Sequence, residues 1–185
     1  MCIRDRRALF GSAEFAAAAG AKTRTPYEDV IATVRTLGYG PERSGTKGLK
    51  ALYWTAEEAG QAPLAWAPPT GYPDVASAWA SPSGQVIRWN AHLDIVAGWW
   101  PSTLQRPASL VTAYAGTVPA TYGALVDAVA TRLVGRTLAP AHTAAITAFY
   151  GKTPAAALRP GDAAVGWAFP YLPALLLNSP YFALR

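Results

Sequence analysis

The sequence predicts an all-α protein, an irregular multi-helix bundle with a long Pro/aromatic loop. Three observations predict it. Half of the 185 residues are apolar, with Ala, Leu and Val prominent and little β-branched alternation of the strand kind. Helix-start residues recur just ahead of apolar runs at helical spacing, as at Thr25-Pro26, Thr121 and Pro140. Sixteen glycines and sixteen prolines are scattered along the chain, which marks many helix ends and turns rather than one disordered tract.

The elements follow in order. Arg7 to Ala18 reads as a short helix ending near Gly20. Thr25 is an N-cap with Pro26 at the first helical position, and Glu28 three residues on completes a capping box. Tyr27, Val30, Val34 and Leu37 follow at helical spacing, and Gly38 supplies the stop. Residues 38–48 form a glycine-rich charged connector, and Leu49 to Ala59 a second helix closed by Gly60. The Pro/aromatic loop comes next, from Trp66 through Pro68, Pro69, Gly71, Tyr72 and Pro73 to Trp79. Ser83 is read as the cap of a long helix with Val86, Trp89, Leu93, Val96 and Trp100 on one buried stripe, ended by Pro101.

A second block begins there. Ser109 to Ala115 is a short helix, and Thr121 caps another with Leu125, Val129 and Leu133 on one face. Pro140 opens a helix carrying Ile146, Phe149 and Tyr150, closed by Gly151. The last helix is expected from about Asp162 to Leu177, bent at Pro170 and Pro173. Ala8 to Ala16 and Leu175 to Ala183 echo one another: an apolar helix end, a Ser, a turn, then Phe-Ala. The echo fits helices that end alike, or a duplicated unit.

Composition excludes several function classes. Net charge is +5, but the basic residues are dispersed, and Arg4, Arg6 and Arg7 are the only tight cluster. Nucleic-acid binding calls for a basic stripe interleaved with aromatics, or a known module, and neither is present. A single cysteine, Cys2, supports neither an internal disulfide nor a thiolate metal site. The longest apolar run, Ala163 to Leu177, falls short of the roughly 20 residues a bilayer needs. No signal peptide is visible. Residues 1–6 read as translated adapter sequence, which makes the chain a fragment by expectation.

No catalytic motif in the sequence is complete. The segment from Gly40 to Lys47 has Gly45-Thr46-Lys47 where a phosphate loop needs Gly-Lys-Ser/Thr, and a helix precedes it rather than a strand. His92 and His142 lie on different predicted helices, and His92 and Asp94 are too close along one helix to face one metal. We expect no metal and no cofactor. There is no nucleophile elbow. Glu57 and Glu58 are adjacent and diverge, while Glu28 and Asp29 suit the dipole of a first helical turn. Asp74 and Asp94 could face each other at about 5–10 Å, as glycoside hydrolysis requires, only with the loop folded over the long helix.

The binding candidates are Trp66, Tyr72, Asp74, Trp79, Arg88, Asn90 and His92. Arg88 and Asn90 follow the loop closely, and the leading reading has both pinning it to the helix through loop carbonyls. Ligand contact is the second reading. Trp66, Tyr72, Trp79, Trp99 and Trp100 read first as core and loop anchors and second as a sugar or polymer platform.

An ordered series of motifs carries a family resemblance. The pieces are Ala8 to Phe15, Lys22 to Glu28, Gly60 to Leu64, Pro68 to Pro73, Trp79, and Arg88 with Asn90. With their spacing, the run from Ala8 to Asn90 resembles the C-terminal end of the bacterial "domain of unknown function 1800" family. Tyr72 stands where the family usually has Trp, and Ala13 where it has Pro. Residues 101–185 look like an extension seen in actinobacterial members, and the Arg-over-Lys bias fits such a genome. The resemblance implies an exported protein, an upstream helical region absent from this chain, and a sulfatase-like partner encoded nearby.

These readings divide the chain into residues 1–6 as a non-native start, 7–100 as the helical C-terminal part of the family domain, and 101–185 as a helical extension packed on it. The expected function is a non-catalytic helical binding or scaffold portion of an exported protein. The alternative is part of an enzyme acting on a cell-surface or extracellular polymer.

Overall fold

The computed structural model describes residues 3–18 and 20–185. Met1, Cys2 and Ala19 lie outside the described residues, and with them the sole cysteine and the first two residues of the adapter-like start. Among the described residues there are ten α-helices and no strand: α1 Ile3–Phe10, α2 Ala13–Ala17, α3 Pro26–Leu37, α4 Lys47–Glu58, α5 Pro82–Ala97, α6 Leu110–Ala115, α7 Tyr122–Val134, α8 Pro140–Phe149, α9 Tyr171–Leu177 and α10 Pro180–Ala183. The all-α expectation holds.

Local chemistry explains most boundaries. The Thr25 hydroxyl and the Glu28 carboxylate close the expected capping box on α3, and Gly38 ends the helix in the left-handed region at φ 71°. Thr121 caps α7 and Pro140 opens α8, as expected. Where one helix was expected over Arg7 to Ala18, the chain breaks at Gly11 and restarts, because the Ser12 hydroxyl caps α2 by accepting from the Phe15 amide. Ser81, not Ser83, caps α5, and this places Pro82 at the first helical position. The expected helix from Asp162 shrinks to a 3₁₀ turn at Ala163–Val165, and α9 starts only after Pro170. A proline there has no N–H to continue a helix, while Pro173 falls in the first turn, where an amide would be unpaired anyway.

The stripe on α5 is the main correction to the helix pattern. Val86, Trp89 and Trp100 are exposed; the buried face instead carries Gly84, Arg88, Ala91, His92, Ile95 and Val96. Hydrophobicity alone places Trp89 inside, yet it is 42% exposed. The helix is turned so that Arg88 and His92 meet a carboxylate on α3.

One core runs through both halves, from Val30, Leu37 and Leu52 through Val96 to Leu125, Val129, Phe169, Leu172 and Leu176. Helix α5 packs on α3, α4 and α9, and α7 packs on α6, α8 and α9. Helices α4 and α5 run antiparallel. A side chain on Gly84, near the start of α5, would meet the Ala59 carbonyl at the end of α4. One on Gly48, near the start of α4, would come within 2.8 Å of Thr103 Oγ1 beyond the end of α5. The segment 22–24 is clasped to 183–185 by backbone bonds: the amides of Lys22 and Arg24 donate to the Arg185 and Ala183 carbonyls, and the Arg185 amide donates to Lys22.

Candidate functional site

Asp29 lies on the inward face of α3, where its neighbours Pro26, Val30, Thr33 and Leu37 are also buried. Arg88 and His92, one turn apart on α5, reach it together. Arg88 Nε donates to Asp29 Oδ2 at 3.0 Å, and His92 Nε2 lies 2.9 Å from the same oxygen. The far edge of the imidazole, Nδ1, is 2.7 Å from Asn178 Oδ1 at the end of α9. The amide of Asn178 and the ring are therefore linked: Oδ1 facing Nδ1 accepts a hydrogen bond from an Nδ1–H, whereas the NH₂ end would donate one. Phe182 presents its ring edge-on to the imidazole, with centroids 5.8 Å apart.

This cluster is sealed. Asp29, Arg88 and His92 expose 1%, 2% and 3% of their surfaces. Burial alone would push the Asp29 carboxyl up. Hydrogen bonds and charge from His92, then from Arg88, outweigh burial and hold it below the ordinary carboxylate value. Asp29 Oδ1 and the Thr33 hydroxyl, one turn apart, are buried without a hydrogen-bond partner. The arrangement joins α3, α5 and α9 through charged hydrogen bonds and leaves no reacting group open to solvent.

The expected bonds from Arg88 and Asn90 to loop carbonyls are not what hold the loop. Arg88 is committed to Asp29, and Asn90 is exposed on the opposite side of α5. The loop is packed by its own aromatics instead. Trp66 lies against Tyr72 with centroids 4.9 Å apart, and Tyr72 against Trp79 at 5.8 Å. The Tyr72 hydroxyl donates to the Ala62 carbonyl, and Trp79 Nε1 donates to the Pro73 carbonyl. Its ties to the body lie elsewhere: Gln61 Oε1 accepts from the Tyr27 amide, and Asp74 pairs with Lys22. The Lys22 ammonium lowers the Asp74 carboxyl from its usual value.

The sequence candidates thus divide among three places. Arg88 and His92 are in the sealed cluster; Trp66, Tyr72, Asp74 and Trp79 are in the loop; Asn90 lies in a groove with Asp94 and Trp100. Asp74 and Asp94 line different grooves, so the loop does not fold over α5 to make a carboxylate pair. His142 is exposed and bonded to the Tyr181 hydroxyl. Among the described residues, no group of three or more His, Cys, Asp or Glu could hold a metal ion. No helix among them is long and apolar enough to cross a membrane.

Sequence reading missed Asp29 and Asn178. The signal for Asp29 was present: it shares the 26–30–33–37 face of α3, and Arg88 and His92 show the i, i+4 spacing of one helix face. Nothing local marks Asn178, which pairs across 86 residues.

A family model described as a protein of unknown function (DUF1800) matches residues 6–184. The match continues through residues 101–184, beyond the reach of the motif series. No curated protein and no solved structure matches the chain.

Proposed function

The chain belongs to the DUF1800 family, and from that premise we propose that it is a non-catalytic helical binding or scaffold portion of an exported protein. The observation that carries this reading is the sealed cluster. The groups best suited to chemistry, Asp29, Arg88 and His92, are buried and bonded to one another across three helices. Such a network fixes how helices meet, while catalysis needs groups convergent on an accessible cleft. Export, and a place at the C-terminal end of an actinobacterial-like member, rest on the motif resemblance. The exposed apolar side chains of Leu9, Phe10 and Phe15 on α1 and α2 support an upstream helical region as the partner of that surface.

The test is release of new reducing ends from extracellular polysaccharides by the protein, alongside its thermal melt. We expect no release. Release by the wild type that is lost in Asp29→Asn or His92→Gln, assayed well below each variant's own melting temperature where circular dichroism shows it folded, would favour the enzyme reading instead.

A further inference from the structure

Two tryptophans outside the loop behave differently from those within it. Trp54 on α4 and Trp100 just beyond α5 are 51% and 52% exposed, and neither stacks on another ring among the described residues. Together they wall a groove of about 400 Å³ whose other lining includes Lys47, Lys50 and Thr103 and no acidic residue. Neither lysine pairs with a carboxylate among the described residues. Trp100 also lines a second groove of about 170 Å³, with Glu58, Asn90 and Asp94. Lys47, Lys50, Trp54 and Glu58 lie along one face of α4, and antiparallel α5 supplies Asn90 and Asp94 at the Glu58 end.

We infer that this α4–α5 face is a binding track for a polysaccharide that alternates acidic and neutral sugars. The inference rests on the binding reading above. An indole face, negative at its centre, suits the polarised C–H face of a sugar ring. Free ammonium groups at one end match a carboxylate on the sugar they meet. At the other end, the amide of Asn90 and the carboxylates of Glu58 and Asp94 suit sugar hydroxyls and repel a second charge. That repulsion argues against polymers charged at every unit, nucleic acids included. A purely apolar partner would leave the polar groups of both grooves without hydrogen bonds.

The track is tested by affinity gel electrophoresis of the 185-residue chain in hyaluronan, which alternates a uronate with a neutral amino sugar. Parallel gels contain polygalacturonate, charged at every unit, and uncharged dextran. Retardation should be strongest in hyaluronan and absent in dextran. Trp54→Ala and Trp100→Ala should each weaken it by about tenfold, and Lys47→Glu with Lys50→Glu should abolish it. All these positions are exposed, and an unchanged circular-dichroism melt would show that the variants fold. Arg35→Glu, on a different groove, should leave retardation intact. Equal retardation in polygalacturonate together with loss in Arg35→Glu would reduce the binding to general attraction by a basic protein. Retention by both tryptophan variants, or no retardation in any gel, would overturn the track. Neither result touches the non-catalytic reading, which falls only on release of reducing ends.

Discussion

Asp29 and Asn178 hold opposite edges of the same imidazole ring, that of His92, at 2.9 and 2.7 Å. One ring thereby ties α3 to the end of α9 through α5. Removing one member of a buried charged set costs more than removing the set, because the partner's charge remains without compensation. Asp29→Asn should lower unfolding free energy by about 3–5 kcal/mol. Replacing Asp29, Arg88 and His92 together by Leu, Met and Leu should cost less than that single change. Urea titration of both variants checks the order.

The same carboxyl sets an acid limb. Its folded value lies below its unfolded one, so its contribution is complete above the unfolded value of about 3.9. It fades as pH falls toward and through the lower folded value. Urea midpoints followed from about pH 5 downward should fall steeply in the wild type. In Asp29→Asn they should start lower and fall less.

Gly98→Ala should destabilise for two separable reasons. The residue ends α5 at φ 73°, which costs a non-glycine residue about 1–2 kcal/mol. A Cβ there would also collide with Arg106, whose guanidinium covers the end of α5 by donating to the Val96 carbonyl and, through Nε, to the Tyr39 hydroxyl. In an Arg106→Ala background the collision disappears and the conformational cost remains. A double-mutant cycle of thermal melts should therefore show a smaller effect of Gly98→Ala in that background.

The loop should loosen by itself. Tyr72→Phe removes the bond to the Ala62 carbonyl, worth about 0.5–1.5 kcal/mol. Because Trp66, Tyr72 and Trp79 pack on one another, the loss should appear as faster amide exchange within residues 62–80. The global melt should barely move.

Much of the fold was legible because its signals are local. The capping box at Thr25, the left-handed glycine at 38 and the apolar face of α7 each lie within one turn of the residues they govern. Helix rotation was less legible. On α5 the residues that look apolar, Val86 and Trp89, face solvent, while Arg88 and His92 face inward, and only Asp29 on another helix decides it. The loop was recognised as a unit, but its ties to Tyr27 and Lys22 cross at least 34 residues and leave no trace in local pattern. Trp54 went unmarked for the opposite reason. An indole is read as core from its hydrophobicity, although its spacing places it with Lys47, Lys50 and Glu58 on the outer face of α4.

The clasp between residues 22–24 and 183–185 bears on how the chain is made. Ribosomes add about 5–20 residues per second, so on the order of ten seconds separates the synthesis of its two sides. Asn178 is synthesised only shortly before the later side, and until then the edge of His92 that it will hold has no such partner. The nascent protein can build its early helices beforehand, but it cannot finish sealing Asp29 from water.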